Sequence, residues 1–222
     1  MANDQSGENW YEWHRGYDRP GSSLQRRLAI VQQQIRAALD AAAPGPIRVV
    51  SLCAGQGHDL IGALRDHPRA ADVHARLVEL DPRNCELARA AAPAGVEVFC
   101  GDASDTSSYE GAVPAHLVLA NGVFGNISDE HIVRTIGTLR SFCAPGATVT
   151  WTRHRRPPDL TPRVRQWFID AGFAEVAFEG SDEFVFGIGV NRLKRAPDPF
   201  EPGVHMFDFV GSDQNWEQGQ PA

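Results

Sequence analysis

From Ile47 onward the chain alternates short apolar runs with stretches of helical spacing, and no other feature restricts its fold as strongly. Ile47–Leu52, His74–Leu80, Val96–Cys100, Ala115–Ala120 and Ala147–Thr152 read as buried strands. Between them, Asp59–Asp66, Arg83–Ala92 and Asp129–Phe142 read as helices, the last with Ile132, Val133, Ile136 and Leu139 on one face. A further helix, Thr161–Ala171, follows the fifth strand and ends at Gly172. Strands separated by helices pair in parallel, and a parallel sheet needs helices on both faces. The next two strands, Ala174–Glu179 and Glu183–Asn191, are divided only by Gly180-Ser181-Asp182. So short a connection forces them antiparallel. The expectation is an α/β, doubly wound, mostly parallel sheet with an antiparallel last strand at an edge that reverses direction.

The 222 residues suit one domain with some embellishment. Residues 1–44 are expected to form an N-terminal lid segment and helix, 45–194 the core, and 195–222 a tail packed on it. In the first part, Trp10, Tyr11, Trp13 and Tyr17 make an aromatic density unlike that of a disordered tail. Leu24, Leu28, Ile30, Val31, Ile35 and Leu39 then recur at helical spacing until Pro44-Gly45-Pro46, with Ser22 or Ser23 as cap. In the last part, residues 195–204 are rich in proline, and His205–Val210 reads as a short strand or a packed tail. A net charge of −7 argues against nucleic acid or an anionic membrane as partner. The sequence has no apolar run near the ~18 residues that cross a bilayer, and no signal-peptide pattern, so the cytoplasm is the expected location. Cys53, Cys85, Cys100 and Cys143 form no Cys-x-x-Cys pair and lie in or beside apolar segments. Buried, reduced thiols are expected, and no metal site.

The strongest local signal is Val49-Val50-Ser51-Leu52-Cys53-Ala54-Gly55-Gln56-Gly57-His58-Asp59, a strand running through a glycine turn into a helix. Glycine there admits unusual φ/ψ angles and a close ligand. Alone, it fits a tight turn in any α/β protein. Asp81 stands at the end of the second strand, close to the ~20 residues beyond the turn expected of an acid that binds ribose. The third strand ends in Cys100-Gly101-Asp102-Ala103 and the fourth in Leu119-Ala120-Asn121-Gly122. In doubly wound sheets ligands lie beyond the carboxyl ends of the strands, so these side chains are expected to share one crevice.

That order of glycine turn, acid, Gly-Asp-Ala and polar residue resembles the class I S-adenosylmethionine-dependent methyltransferases over roughly residues 45–192. Their fold is Rossmann-like and also has an antiparallel final strand. The resemblance implies S-adenosyl-L-methionine as cofactor. It implies that Cys53, Ala54, Gly55, Gly57 and Asp59 surround the methionine portion and that Asp81 and Pro82 hold the ribose. Gly101, Asp102 and Ala103 would flank the adenine, and Asn121 and Gly122 would border the transferred methyl. Two positions depart from the family pattern. Ser51 replaces the usual acid and Cys53 the first glycine, leaving Glu79, Asp59 or an N-terminal residue to meet the methionine amino group. A nicotinamide dehydrogenase would need glycine where Leu60 stands.

For a base, should the acceptor need one, the candidates are His14 with Tyr17, His131, His58 and His154, with His14 and His131 preferred. The N-terminal aromatics read equally as a lid over a cationic ligand and as a hydrophobic clasp. Arg153-His154-Arg155-Arg156 reads as a solvated basic loop rather than a site for an anionic substrate. The expected function is a methyltransferase acting on a small molecule, by family analogy one of secondary metabolism. Two others stay open: attack within the cofactor's aminocarboxypropyl chain, releasing methylthioadenosine, and a non-catalytic cofactor-binding protein. Among assemblies, a homodimer is compatible with this reading.

Overall fold

The computed structural model describes Tyr11, Tyr17 and residues 21–180 and 185–210. One sheet holds seven strands: β1 (Ile47–Ser51), β2 (Val73–Glu79), β3 (Val96–Cys100), β4 (Ala115–Ala120), β5 (Cys143–His154), β6 (Phe173–Glu179) and β7 (Phe186–Leu193). Their order is β3-β2-β1-β4-β5-β7-β6. The first five pair in parallel, while β7 runs antiparallel to both β5 and β6. The helices are α1 (Ser23–Asp40), α2 (His58–Leu64), α3 (Pro82–Ala91), α4 (Asp129–Phe142) and α5 (Thr161–Asp170).

Alternation along the strands separates two layers of core. Ile47, Val49, Leu117 and Leu119 face α1, α2 and α3, where they join Val31, Ile35, Leu60 and Cys85. Val50, Leu52, Val118 and Ala120 face the other way, with Ile132, Ile136 and Leu139 of α4 and Val164 and Phe168 of α5. The period of two thus sends successive residues of one strand into opposite layers. Helix α1 starts where Ser22 accepts the amide of Gln25 at 3.1 Å. It buries Leu24, Arg27, Val31, Ile35 and Leu39, a stripe that includes one arginine.

The expected doubly wound, mostly parallel sheet with an antiparallel last strand is present. That last strand, β7, is interior, between β5 and β6, and β6 is the edge strand. Burial explains the choice. Gly187 through Asn191 are all buried, whereas Glu175 and Val176 of β6 are exposed. A second difference is that β5 begins at Cys143, paired with Ala115, so Pro145-Gly146 falls inside the strand, where the register shifts. The tail makes isolated bridges, Asp105 to His205 and Ile127 to Phe209, rather than a further strand.

Candidate functional site

The carboxyl ends of β1, β2, β3 and β4 meet at the glycine turn. Leu52 N–H reaches the Leu119 carbonyl and Ala54 N–H the Val78 carbonyl, both at 2.9 Å, so the turn is tied to strands on either side. Gly57 caps α2 at φ 75°. A Cβ there would also press on Ile61 Cδ1 at 2.6 Å, but it is the left-handed conformation that calls for glycine. Cys53 adopts φ 47°, the left-handed region that a β-carbon disfavours. The backbone therefore keeps a glycine-like shape where the sequence has cysteine. Burial, helped by the nearby charges of Glu79 and Asp102, pushes the Cys53 thiol up. Both acids thus converge on the turn.

Glu79, the last residue of β2, is buried. Its Oε2 accepts the N–H of Gly55 at 2.8 Å and its Oε1 that of Asp81 at 2.9 Å. Burial raises its pKa against these two amides. Asp81 has different work. It caps α3 by accepting the Arg83 amide at 2.9 Å, and its Oδ2 takes the Arg83 guanidinium at 2.6 Å. Those hydrogen bonds hold its carboxyl below the usual range. Pro82 is the first residue of α3. Of the two acids, Glu79 is therefore the one bonded to the glycine turn.

After β3, Asp102 Oδ1 accepts the Ser104 amide at 2.8 Å and its hydroxyl at 2.7 Å. Ala103 is buried, and its carbonyl takes the Tyr109 hydroxyl at 2.9 Å. Gly101 N–H joins the Glu79 carbonyl, again at 2.9 Å. After β4, Gly122 N–H meets Thr152 Oγ1 at 2.8 Å. Asn121 is buried, and its Nδ2 has no hydrogen-bond partner within normal distance among the described residues. The Asn121 amide nevertheless stands beside Asp59 and favours its ionised form.

Asp59 joins these groups to α1. Burial raises its pKa, while Arg27 and Asn121 oppose the rise. Arg27 is buried, donates to the Tyr17 hydroxyl, and lies over the Tyr17 and Phe186 rings at 5.7 and 5.4 Å. Tyr17 also packs on His58, with ring centroids 5.2 Å apart. Burial pushes the Tyr17 phenol up to about 12. Farther along the crevice, Arg83 sits 4.7 Å from the Tyr11 ring. The two described aromatics of the N-terminal segment thus lie against the glycine turn and against the Asp81 cap.

The histidine candidates separate. His131 bonds to the tail: its Nδ1 accepts the Asp208 amide at 3.1 Å, and its Nε2 faces Asp208 Oδ2 at 3.8 Å. It pins the tail onto α4. His14 lies outside the described residues. The basic run is not a solvated loop, which corrects the expectation. Arg153 is buried against the Phe124 carbonyl, and Arg155 pairs with Asp159 at 3.1 Å. Cys100 is another correction, being exposed at the end of edge strand β3.

Arg27 escaped the sequence reading, although a signal existed in the arginine on the buried stripe of α1. A packed tail was expected, but not its contact with the site. His205 Nδ1 meets Ser104 Oγ at 3.2 Å, so the tail touches the residue that holds Asp102. Nothing in local spacing announces a contact across 101 positions.

No protein-family model matches the chain, and no curated protein matches it. Solved structures do. A possible exported protein from Bordetella parapertussis superposes with TM-score 0.66 at 18% identity, over 86% of this chain and 81% of that one. Magnesium protoporphyrin IX methyltransferase from Synechocystis PCC 6803, with bound SAM, gives 0.62 at 14% identity, over 85% and 93%. The N-methyltransferase NodS from Bradyrhizobium japonicum gives 0.58 at 13%, over 81% and 99%. The chain has the Rossmann-like fold of class I S-adenosylmethionine-dependent methyltransferases.

Proposed function

We propose that the crevice binds S-adenosyl-L-methionine and that the protein transfers its methyl group to a small-molecule acceptor. The observation that carries this reading is the convergence of Glu79, Asp59 and Asp102 on a glycine turn at the carboxyl edge of this sheet. The cofactor has an ammonium group, two ribose hydroxyls and an exocyclic amine, all donors, and these carboxyls are acceptors. Its carboxylate needs a donor, and the buried Asn121 amide and the Arg27 guanidinium lie on that side of the turn. The residues fit the group.

In this reading Cys53, Ala54, Gly55, Gly57 and Asp59 cradle the methionine end. Glu79 takes the ribose, with Asp81 and Pro82 fixing the start of α3. Gly101, Asp102 and Ala103 hold the adenine, and Asn121 and Gly122 border the reacting centre. When bound, the cofactor supplies an electrophilic methyl on a sulfonium. The chain's own contribution is chiefly orientation, since in-line placement removes much of the barrier. Tyr17 stays protonated at neutral pH and bonded to Arg27, so it positions rather than accepts a proton. Tyr11 and Tyr17 serve as part of a lid, since aromatic faces favour a cationic ligand.

The test is calorimetric titration with S-adenosylmethionine and S-adenosylhomocysteine, followed by product analysis over a panel of small acceptors. Micromolar or tighter binding, with S-adenosylhomocysteine formed, supports the reading. Release of methylthioadenosine redirects it to chemistry on the aminocarboxypropyl chain, and absence of binding overturns it.

A further inference from the structure

Cys85 of α3 is buried, whereas Cys100 at the end of β3 is exposed. Their thiols meet over one stretch of backbone. Cys85 Sγ donates to the Glu79 carbonyl at 3.3 Å, and Cys100 Sγ to the Leu80 carbonyl at 3.8 Å. Two further links hold them together: Glu79 and Cys100 are register partners across β2 and β3, and the Cys85 amide returns to the Asp81 carbonyl at 3.0 Å. The two thiols therefore face neighbouring carbonyls of the same Glu79-Leu80 peptide segment. Cys53 in the glycine turn and Cys143 at the start of β5 belong to other parts of the core.

We propose that Cys85 and Cys100 are a redox-modification site, forming a reversible intramolecular disulfide that weakens the ligand's hold at the Glu79–Asp81 link. The oxidant class is a peroxide. Exposure makes the Cys100 thiolate the attacking sulfur; it breaks the O–O bond, becomes a sulfenic acid, and the departing hydroxide leaves as water with the thiol proton. Cys85 sulfur then displaces the hydroxyl from Cys100, the S–S bond forms, and a second water carries off the Cys85 proton. Two thiols and one hydrogen peroxide give one disulfide and two waters, with two electrons passing from sulfur to peroxide. Burial keeps Cys85 a thiol, so it resolves rather than initiates.

The bond removes both S–H donors from the carbonyls of Glu79 and Leu80, on the segment that positions the Glu79 carboxylate. The effect on the ligand rests on the function proposed above; formation of the bond does not. Displacement of the segment that carries Glu79 is expected to weaken S-adenosylhomocysteine binding roughly tenfold, about 1.4 kcal/mol. The test treats the full-length protein with a slight excess of hydrogen peroxide and analyses non-reduced peptides by mass spectrometry. Titration with S-adenosylhomocysteine accompanies it, before oxidation, after it and after added dithiol. A Cys85–Cys100 linked peptide lighter by two hydrogens, lost affinity and its recovery are the expected results, all absent in Cys100→Ser. Over-oxidation of Cys100 to sulfinic acid, or linkage between two chains, overturns the proposal. A linked peptide with unchanged affinity overturns the coupling to the crevice. If the reduced protein binds no S-adenosylhomocysteine, the cofactor reading fails while the linked peptide still decides the disulfide.

Discussion

The Glu79 carboxylate receives the Gly55 amide at 2.8 Å, so the end of the second strand holds the middle of the glycine turn. A residue in that position can serve the turn and the ligand together, whereas Asp81 is spent on the α3 cap and Arg83. Glu79→Gln is expected to weaken S-adenosylhomocysteine binding at least tenfold. Asp81→Ala is expected to cost about 1 kcal/mol of stability as a lost cap, with a smaller loss of affinity. Calorimetric titration and denaturant unfolding of both variants check this, and the reverse ranking would return the ribose role to Asp81.

The choice between Asp81 and Glu79 shows what sequence can and cannot resolve. The strand, the turn and the acid-bearing strand end are all legible from Val73 to Asp81. Glu79 and Asp81 lie two apart, and period-two alternation does not rank such positions by depth. What distinguishes them is the α3 cap, which closes on Asp81-Pro82. The place of β7 was hidden for a similar reason: a short turn fixes direction, but not which strand of the hairpin meets β5. That choice depends on burial across the whole sheet. Arg27 and His205 act through contacts with distant segments, which local patterns do not encode.

Asp59 predicts how binding depends on pH. Its pKa is raised in the folded protein, mainly by burial. Protonation as pH falls through that raised value removes the negative charge facing the turn. Affinity for cationic S-adenosylmethionine is therefore expected to decline from neutral toward acidic pH. Asp59→Asn is expected to bind more weakly at neutral pH and to show a shallower profile, the remainder coming from Glu79, whose pKa burial also raises. Titrations at a series of pH values check it, and a wild-type slope retained in the variant would assign the dependence elsewhere.

His131 is a clasp for the tail in this structure. His131→Ala is expected to leave methyl transfer within about threefold while lowering stability by roughly 0.5–1.5 kcal/mol, the range for one hydrogen bond. Activity and urea unfolding measured on the same preparation check the pair. A loss of activity of 100-fold or more with stability intact would restore the histidine as the base.

Alkaline stability follows from the buried tyrosines. Tyr17 is raised to about 12, and burial also pushes Tyr109 well up. In the unfolded chain both lose their protons near the ordinary value of about 10. A group whose folded pKa is raised stabilises fully below the unfolded value and loses that contribution as pH rises. Above pH 10, stability is expected to fall by about 1.4 kcal/mol per pH unit for each of the two. Denaturant unfolding between pH 9 and 12 checks the slope. Buried Cys53, Cys85 and Cys143, whose thiols are raised too, add to the slope, so Tyr17→Phe is expected to lessen it above pH 10 by one proton's share, about 1.4 kcal/mol per pH unit.

The interior place of β7 yields a prediction about packing. Gly189 stands opposite Trp151 in the β5–β7 pairing, and Trp151 is fully buried with its indole N–H on Asn191 Oδ1 at 2.8 Å. A Cβ on Gly189 would lie 2.1 Å from Trp151 Cε2. The indole cannot retreat easily, because Phe168 stacks on it at 5.8 Å and Phe178 lies at 6.0 Å. Gly189→Ala is expected to cost about 1–3 kcal/mol, the range for overpacking a filled core. Trp151→Phe in the same chain removes the crowded atoms, so the double variant is expected to recover part of the loss. An edge position for β7 would leave the alanine free and its cost near zero, so a double-mutant cycle read by urea unfolding tests the strand order directly.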